Sequence, residues 1–557
     1  MTGYTLDVSP GSTVARLADR HGTWAGLRLL AAVDTVAGRD ETTWIGAPEV
    51  DGRRIRLTHG SSRWGTCTVV LDRYDDRVET WVEVSGRGRI TDVFLLSGRG
   101  VAAGHPLGWL PSAAHFTTLF SANPADPARI LIPATESAVI GVCGDGQPGR
   151  GHWFFTPAPL YYAVRRPAGG PWLGLGLTVP VEEATFTGWH YLAADGGFAF
   201  RLDYEGQTEV DGQWRSPTLV LRPGLADPYA GLRRHGVPRP GPDWWREPMF
   251  CGWGAQCHLA TVHGGRAAEQ STRRNYDAFL DHLARHGVRP GTVVVDDNWQ
   301  RWYCRPDPDP ARWPDLRGWI ADRHRAGQRV LLWWKAWDPT GAPPEVCVRD
   351  PAGNPVALDP DHPGAVELLT GSIRAMLSAD GLDADGLKID FTAATPTGTA
   401  LSHRGPRWGL ALLHELLAVI YRAAKAAKPD ALVVTQTPHP AFLDVTDMVR
   451  LNDILRLDDP HPRSPVVEAM THRAAIVRAA CPEVLIDTDD WCAPDLAGWR
   501  AYRDVKPTLG VPALYYTTHL DYTGESISDE DLVEVGRIWA EYRAGPGYRG
   551  PREDRDE

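Results

Sequence analysis

Cysteine is sparse and unpatterned in this chain. The eight in 557 residues (Cys67, Cys143, Cys251, Cys257, Cys304, Cys347, Cys481 and Cys492) include no closely spaced pair of the metal-binding kind. Long apolar runs are missing too. No stretch approaches the roughly 18 residues of a spanning helix, so a membrane-embedded protein is excluded from the reading. The opening segment, MTGYTLDVSPGSTVARLADRHG, lacks a basic start followed by an apolar core. No secretory signal is therefore expected, and reduced thiols and a cytoplasmic location are. Positive charge is in short supply, with 58 Lys and Arg against 70 Asp and Glu and a net charge of −12. Nucleic acid and anionic membrane are poor partners for such a chain. His258, His263, His403, His439 and His519 occur without a His-x-His or His-Glu-x-x-His spacing, so neither a metal nor another cofactor is expected.

What is present divides the chain in two. Residues 1–235 read as all-β. Segments such as Arg54-Ile-Arg-Leu-Thr-His, Val78-Glu-Thr-Trp-Val-Glu-Val and Thr91-Asp-Val-Phe-Leu-Leu are separated by turn pairs such as Asp51-Gly52, Ser85-Gly86, Asp195-Gly196 and Asp211-Gly212. Many short strands without a long amphipathic helix predict an antiparallel β-sandwich. Pro228 to His235 reads as a short connecting helix, and the Pro/Gly-rich segment 236–247 as a linker. From 248 to 527 strand-like and helix-like segments alternate. Eight strands, most followed by a helix, predict a (β/α)8 barrel. A last helix and a charged, disordered tail are expected in 528–557.

Barrel active sites lie at the C-terminal ends of the strands. Acids gather there: Asp296-Asp297-Asn298-Trp299 after the second strand, Lys388 and Asp390 on the fourth, Arg450 to Asp453 on the sixth, Asp487 to Asp490 on the seventh. An aspartate before a helix is also a favoured cap, so a single case means little. In Asp385-Gly-Leu-Lys388-Ile-Asp390-Phe, strand alternation puts Lys388 and Asp390 on one face. A cation beside a carboxylate keeps it ionised, as a carboxylate nucleophile requires. Glycosidic bond cleavage suits this set, since it needs one ionised and one protonated carboxyl across a small gap. Asp390 is the candidate nucleophile and Asp453 the candidate acid/base. Asp296, Asp297, Lys388, Arg450 and Asp489 are candidate contacts to sugar hydroxyls. Trp253, Trp299 and Trp333, among 23 tryptophans, are candidate pocket walls or barrel packing.

Four motifs carry a family resemblance. Asp296-Asp297-Asn298-Trp299, Gly327-Gln-Arg-Val-Leu-Leu-Trp-Trp, Gly386-Leu-Lys-Ile-Asp390-Phe and Arg450-Leu-Asn-Asp453-Ile resemble those of the retaining α-galactosidases and their clan, glycoside hydrolase families 27, 31 and 36. A sandwich before the barrel is the arrangement of family 36. The resemblance implies Asp390 as nucleophile, Asp453 as acid/base, and Asp296, Asp297 and Lys388 as contacts to the nonreducing sugar. It implies a small glycoside or oligosaccharide as substrate, and leaves homo-oligomerisation open. Transglycosylation of the raffinose-synthase type and non-catalytic sugar binding are the alternatives. The chain departs from family 36 at Thr435-Gln-Thr-Pro-His-Pro, where that family carries a Gly-rich loop, and in the shorter spacing from Arg450 to Asp453.

Overall fold

The computed structural model describes residues 3–104, 107–109, 117–118, 138–139, 155–166, 170–194, 197–454 and 465–545. Cys143, the Asp195-Gly196 turn and the charged tail lie outside them. The chain forms two compact units. The first comprises 1–233 with 393–401 and 406–413, and the second 234–392 with 402–405 and 414–557.

The first unit is antiparallel β throughout its ladders, as its alternating segments predict. Its strands hydrogen-bond into one continuous network. Two long strands, Val78–Leu95 and Gly197–Arg215, run through it and change partners along their length. Val78–Thr80 pairs with Leu219–Leu221, whereas Val93–Leu95 pairs with Phe200–Leu202. Tyr162, Trp189 and Phe200 pack edge-on and stacked in its core, with centroids 4.8–5.7 Å apart. The expected helix at Pro228–His235 is absent. Gly231 interrupts the segment, and single turns replace a helix, as in the bonds from Leu232 N to Tyr229 O and from Ala230 N to Asp227 O.

The second unit holds a parallel barrel. Its strands are β1 (Met249–Cys251), β2 (Thr292–Val295), β3 (Arg329–Lys335), β4 (Gly386–Asp390), β5 (Leu432–Thr435), β6 (Met448–Arg450), β7 (Leu485–Asp487) and β8 (Ala513–Leu514). They lie in sequence order around the sheet, with β8 beside β1. A parallel bridge from Asp487 to Val511 links the last two. Runs such as Thr292-Val-Val-Val and Leu432-Val-Val are buried on both faces, as a helix-covered parallel sheet requires. The helices are α1 (Trp253–His263), α2 (Arg273–Arg285), α3 (Leu316–Arg325), α4 (Pro363–Leu377), α5 (Gly409–Ala427), α6 (Val466–Ala480), α7 (Leu496–Leu509) and α8 (Asp529–Ala544). β5 and β6 are joined by a 3-10 turn, Pro440–Val445, in place of a helix. Most tryptophans pack the core. Trp313 and Trp319 cluster with Tyr276, for example, at centroid distances of 5.2–6.2 Å.

Helix capping does not account for the strand-end acids. The side-chain caps seen at the α-helices include Thr272, Asp315, His362, Asp495 and Ser528. Asp296, Asp390, Asp453 and Asp489 are not among them.

β4 is fixed at its N-terminal end by Asp385, which accepts from His324 Nε2 (2.7 Å), Arg329 Nη1 (3.1 Å) and Val330 N (2.8 Å). Gly386 follows because a Cβ there would collide with the Leu432 carbonyl of β5. Burial pushes the Asp385 carboxyl up, but the bonds from His324 and Val330 and the charge of Lys428 outweigh it and leave it below the usual range. Its stabilising effect is therefore present above the unfolded value near ~4 and is lost as pH falls through the lower folded value. Asp385→Ala is expected to cost about 3 kcal/mol at pH 7, with the gap to wild type narrowing below pH ~4. Urea denaturation at the two pH values measures it.

Candidate active site

The β3–β4 register places Lys335 beside Asp390 and Trp333 beside Lys388. Leu387 and Ile389 face the packed helices and are fully buried, so alternation sends Lys388 and Asp390 inward. Lys388 Nζ lies 2.6 Å from Asp296 Oδ2 and 3.4 Å from Cys251 Sγ, and Cys251 donates to the same Asp296 oxygen at 3.0 Å. Lys388 is thus the direct partner of Asp296. The cation in contact with Asp390 is Arg450.

Arg450, at the end of β6, is buried and joins three carboxylates. Its Nε donates to Asp489 Oδ2 (3.0 Å), Nη1 to Asp390 Oδ2 (3.3 Å), and Nη2 to Asp453 Oδ1 (2.9 Å) and to Asn452 Oδ1. Since Nη1 and Nη2 belong to one planar group, the bonded oxygens of Asp390 and Asp453 are within about 9 Å of each other. Asp390 is further held by Trp333 Nε1 (3.2 Å), Gln436 Nε2 (2.9 Å) and its neighbour's N–H, Phe391 N (2.8 Å). Asp453 sits on a backbone segment gripped from α6, where Arg473 Nη1 donates to the carbonyls of Leu451 (2.9 Å), Asn452 (3.1 Å) and Asp453 (2.7 Å). Asn298, Phe391, Asn452 and Asp489 all adopt positive φ just past strand ends, a sparsely populated conformation that clusters at functional sites.

The two candidate catalytic acids are driven apart. Burial pushes the Asp390 carboxyl up, but Arg450 and Lys388 outweigh it and hold it below the ordinary value. Asp453 is raised to about 7: burial dominates, Arg450 opposes it, and the negative charges of Asp489 and Asp390 reinforce it. Asp297 is also pushed to about 7 by burial and by Asp296. Its Oδ1 is buried without a hydrogen-bond partner among the described residues.

Several expected sugar contacts occupy other positions. Trp299 and Asp489 are 0% exposed. The Trp299 indole donates to Trp333 O at 2.9 Å, and Asp489 Oδ1 accepts from Asp490 N and Trp491 N while Oδ2 takes Arg450. Both are internal supports rather than pocket surface, because packing around β3 and β7 encloses them. Arg450, with all three nitrogens bonded to protein, is a bridge between carboxylates. Trp333, also buried, donates its indole N–H to Asp390, and Asp296 and Lys388 pair with each other. The side chains of Asp390 and Asp453 retain 15% and 12% exposure, and Asp297 and Trp253 are half-buried. Trp253 meets Trp491 edge-on at 5.8 Å. His439 is buried. It caps the 3-10 turn through Ala441 N, and burial with nearby His414 lowers it to about 4.

Four participants escaped the sequence reading. Gln436 and Asn452 bond within the cluster, Tyr303 bonds Asp297, and Arg473 holds the loop of the acid. Gln436 had one signal, its place just past a strand end, as Asp390 ends β4. Arg473, mid-helix and 20 residues from Asp453, had none. Asp359, Asp361 and His403 lie together with metal-like spacing, their ligand atoms within 4.8 Å. Asp359 there accepts from the backbone N–H of Asp361 (3.0 Å) and Arg404 (2.8 Å), which makes it a loop anchor.

Comparison with known proteins places the fold. No protein-family model matches the chain, and no curated protein matches it in sequence. Solved structures do. A GH31 family sulfoquinovosidase from E. rectale, in complex with an aza-sugar inhibitor, aligns over 97% of this chain and 82% of its own, with TM-score 0.57 and 9% identity. An α-galactosidase from Thermus thermophilus, in complex with p-nitrophenyl α-D-galactopyranoside, aligns over 87% and 92%, with TM-score 0.50 and 16% identity. A cycloalternan-forming enzyme from Listeria monocytogenes, in complex with a pentasaccharide substrate, aligns over 95% and 56%, with TM-score 0.50 and 11% identity. The chain has the fold of these enzymes, an antiparallel N-terminal sheet and a nearly closed eight-stranded parallel barrel. Among the described residues no helix is long and apolar enough to cross a membrane.

Arg450→Met leaves three carboxylates facing one another without their cation. It is expected to cost about 3–5 kcal/mol at pH 8. The loss shrinks toward pH 5, because orphaned buried carboxylates have raised pKa values and protonate as pH falls. Denaturant titrations at the two pH values test both magnitude and sign.

Proposed function

We propose that the barrel is a retaining α-glycoside hydrolase that removes a terminal sugar, with galactose as the leading specificity, from a small glycoside. The observation that supports this most directly is one guanidinium shared by two carboxyls of opposite protonation preference. Asp390, held ionised, attacks the anomeric carbon as Asp453 protonates the departing oxygen. A glycosyl–Asp390 ester forms and the aglycone leaves. Asp453, now a carboxylate, takes a proton from water. The resulting nucleophile attacks the anomeric carbon, and Asp390 departs as carboxylate. A depressed pKa makes Asp390 a poor proton acceptor and a good leaving group, which favours nucleophile over general base. Asp297, whose Oδ1 lacks a partner among the described residues, and the half-buried Trp253 are the sugar contacts of this reading, with Lys388 and Asp296 setting the field behind them. The galactose preference rests on the motif resemblance and on the fold shared with the Thermus α-galactosidase. The route uses carboxyl groups and water alone.

Asp390→Asn is expected to abolish turnover in a screen of aryl α-glycosides (galacto, gluco, N-acetylgalactosamino and anionic). Retained activity would remove the nucleophile assignment. Asp453→Ala is expected to slow substrates with poor leaving groups about 10²–10⁴-fold and activated aryl glycosides far less. Equal losses on both would remove the acid/base assignment. In wild type, kcat/KM should fall as pH rises through about 7, where Asp453 loses its proton.

A further inference from the structure

We propose that Gln436 is a positioning residue for Asp390 and that Asn452 dictates which way the Gln436 amide points. The inference rests on the hydrolase reading above and extends it to residues outside the reacting pair.

Four side chains close a ring. Arg450 Nη2 donates to Asn452 Oδ1, Asn452 Nδ2 donates to Gln436 Oε1 (2.8 Å), Gln436 Nε2 donates to Asp390 Oδ1 (2.9 Å), and Arg450 Nη1 donates to Asp390 Oδ2 (3.3 Å). Gln436 is 0% and Asn452 1% exposed, so neither amide can turn to water for a partner. Amides have two ends of similar shape, and their orientation follows from the network. Here it is determined at every step. A guanidinium has no acceptor, so Asn452 must present oxygen to Arg450 and therefore nitrogen to Gln436. Gln436 must then present oxygen to Asn452 and nitrogen to Asp390. The polarity of Arg450 is carried through two neutral groups and arrives at Asp390 as an N–H donor.

Each oxygen of Asp390 thus has two donors, Oδ1 from Gln436 and Phe391 N and Oδ2 from Arg450 and Trp333, and Gln436 is the side chain that holds Oδ1 in the carboxylate plane. A second cation at Gln436 would give the same hold with too much stabilisation of the anion, and a carboxylate would repel it. A neutral donor fixes the geometry of attack while leaving the charge balance to Arg450 and Lys388. Three further groups act on the same pocket: Lys335 on the neighbouring strand, Asp297 from β2 and Asp453 from β6.

The test uses the full chain and an activated aryl α-galactoside. Gln436→Leu is expected to lower kcat on the order of 10²-fold with KM changed only a few-fold, as for loss of one preorganised donor. Gln436→Glu keeps the shape. Its introduced carboxyl can donate to Asp390 only while protonated, so the high-pH limb of the rate profile should move to lower pH. Asn452→Asp should match the loss of Gln436→Leu, because two acceptor oxygens at 452 force the Gln436 amide to reverse. A merely structural role predicts losses that are even across pH. An unshifted profile for Gln436→Glu, or more than half of wild-type kcat in Gln436→Leu, overturns the proposal. Should Gln436→Leu fail to fold by its thermal midpoint, the near-isosteric Gln436→Glu carries the test. Carbon-13 titration of the Asp390 carboxyl, assigned by difference from Asp390→Asn, separates this proposal from the hydrolase reading. It needs no substrate, and its midpoint should rise in Gln436→Leu. No rise overturns the positioning role, whereas an active Asp390→Asn overturns the reading of the reaction alone.

Discussion

Arg450 offers its donors in one rigid plane, and each side of that plane meets a carboxylate: Asp489 at Nε, Asp390 at Nη1, Asp453 at Nη2. A lysine could not do this, since a flexible point charge does not fix three acceptors in one geometry. The positions of the two candidate catalytic groups follow from this one planar ion. Their inequality comes from the charges around it. Asp390 lies under the influence of both Arg450 and Lys388, which overcome its burial. Asp453 feels the same two cations but also the negative charges of Asp489 and Asp390, and there burial prevails. Placing two cations among this many carboxyls leaves several for which ionisation is expensive, Asp453, Asp297 and Asp487, and of these Asp453 is the proposed proton carrier.

The barrel keeps this cluster in place from the opposite end of its strands. Asp385 ties the start of β4 to β3 and α3. Asp447, at the start of β6, accepts from Tyr421 OH (2.9 Å), Lys425 Nζ (2.7 Å) and Val433 N (2.9 Å), tying β6 to β5 and α5. β4 and β6 lead to the two acids, and each is anchored by a buried carboxylate at its N-terminal end. The site is therefore built on elements anchored at their starts, with positive-φ residues just past their working ends.

The barrel was legible in the chain because β-branched runs and amphipathic helices alternate, and because tight motifs sit where strands end. Lys388 and Asp390 could be placed on one face by alternation, and Asp453 past a strand end by its motif. What could not be read was who pairs with whom. Lys388 is two residues from Asp390 yet bonds Asp296, 92 positions away, because adjacent inward residues on one strand point along the barrel axis while neighbours across strands meet side to side. Trp299 and Asp489 stand at strand ends like true pocket residues. Their full burial depends on the depth of the surrounding loops, which no periodicity encodes. Gln436 and Asn452 are uncharged, and their importance comes from direction rather than composition. The first unit was legible as antiparallel β, but the partner changes along its two long strands depend on bends that alternation does not mark.

The hold of Arg473 on the loop after β6 has one more implication. It grips carbonyls, and every amino acid supplies a carbonyl. The side chain at position 453 can be exchanged without loosening the backbone that carries it. Under the proposed mechanism, a barrel in which Asp453 is replaced while the backbone that carried it stays in place is a ready scaffold for synthesis: the glycosyl ester would still form from an activated donor, and a thiol or other strong acceptor, needing no help from a base, would capture it to build a new linkage.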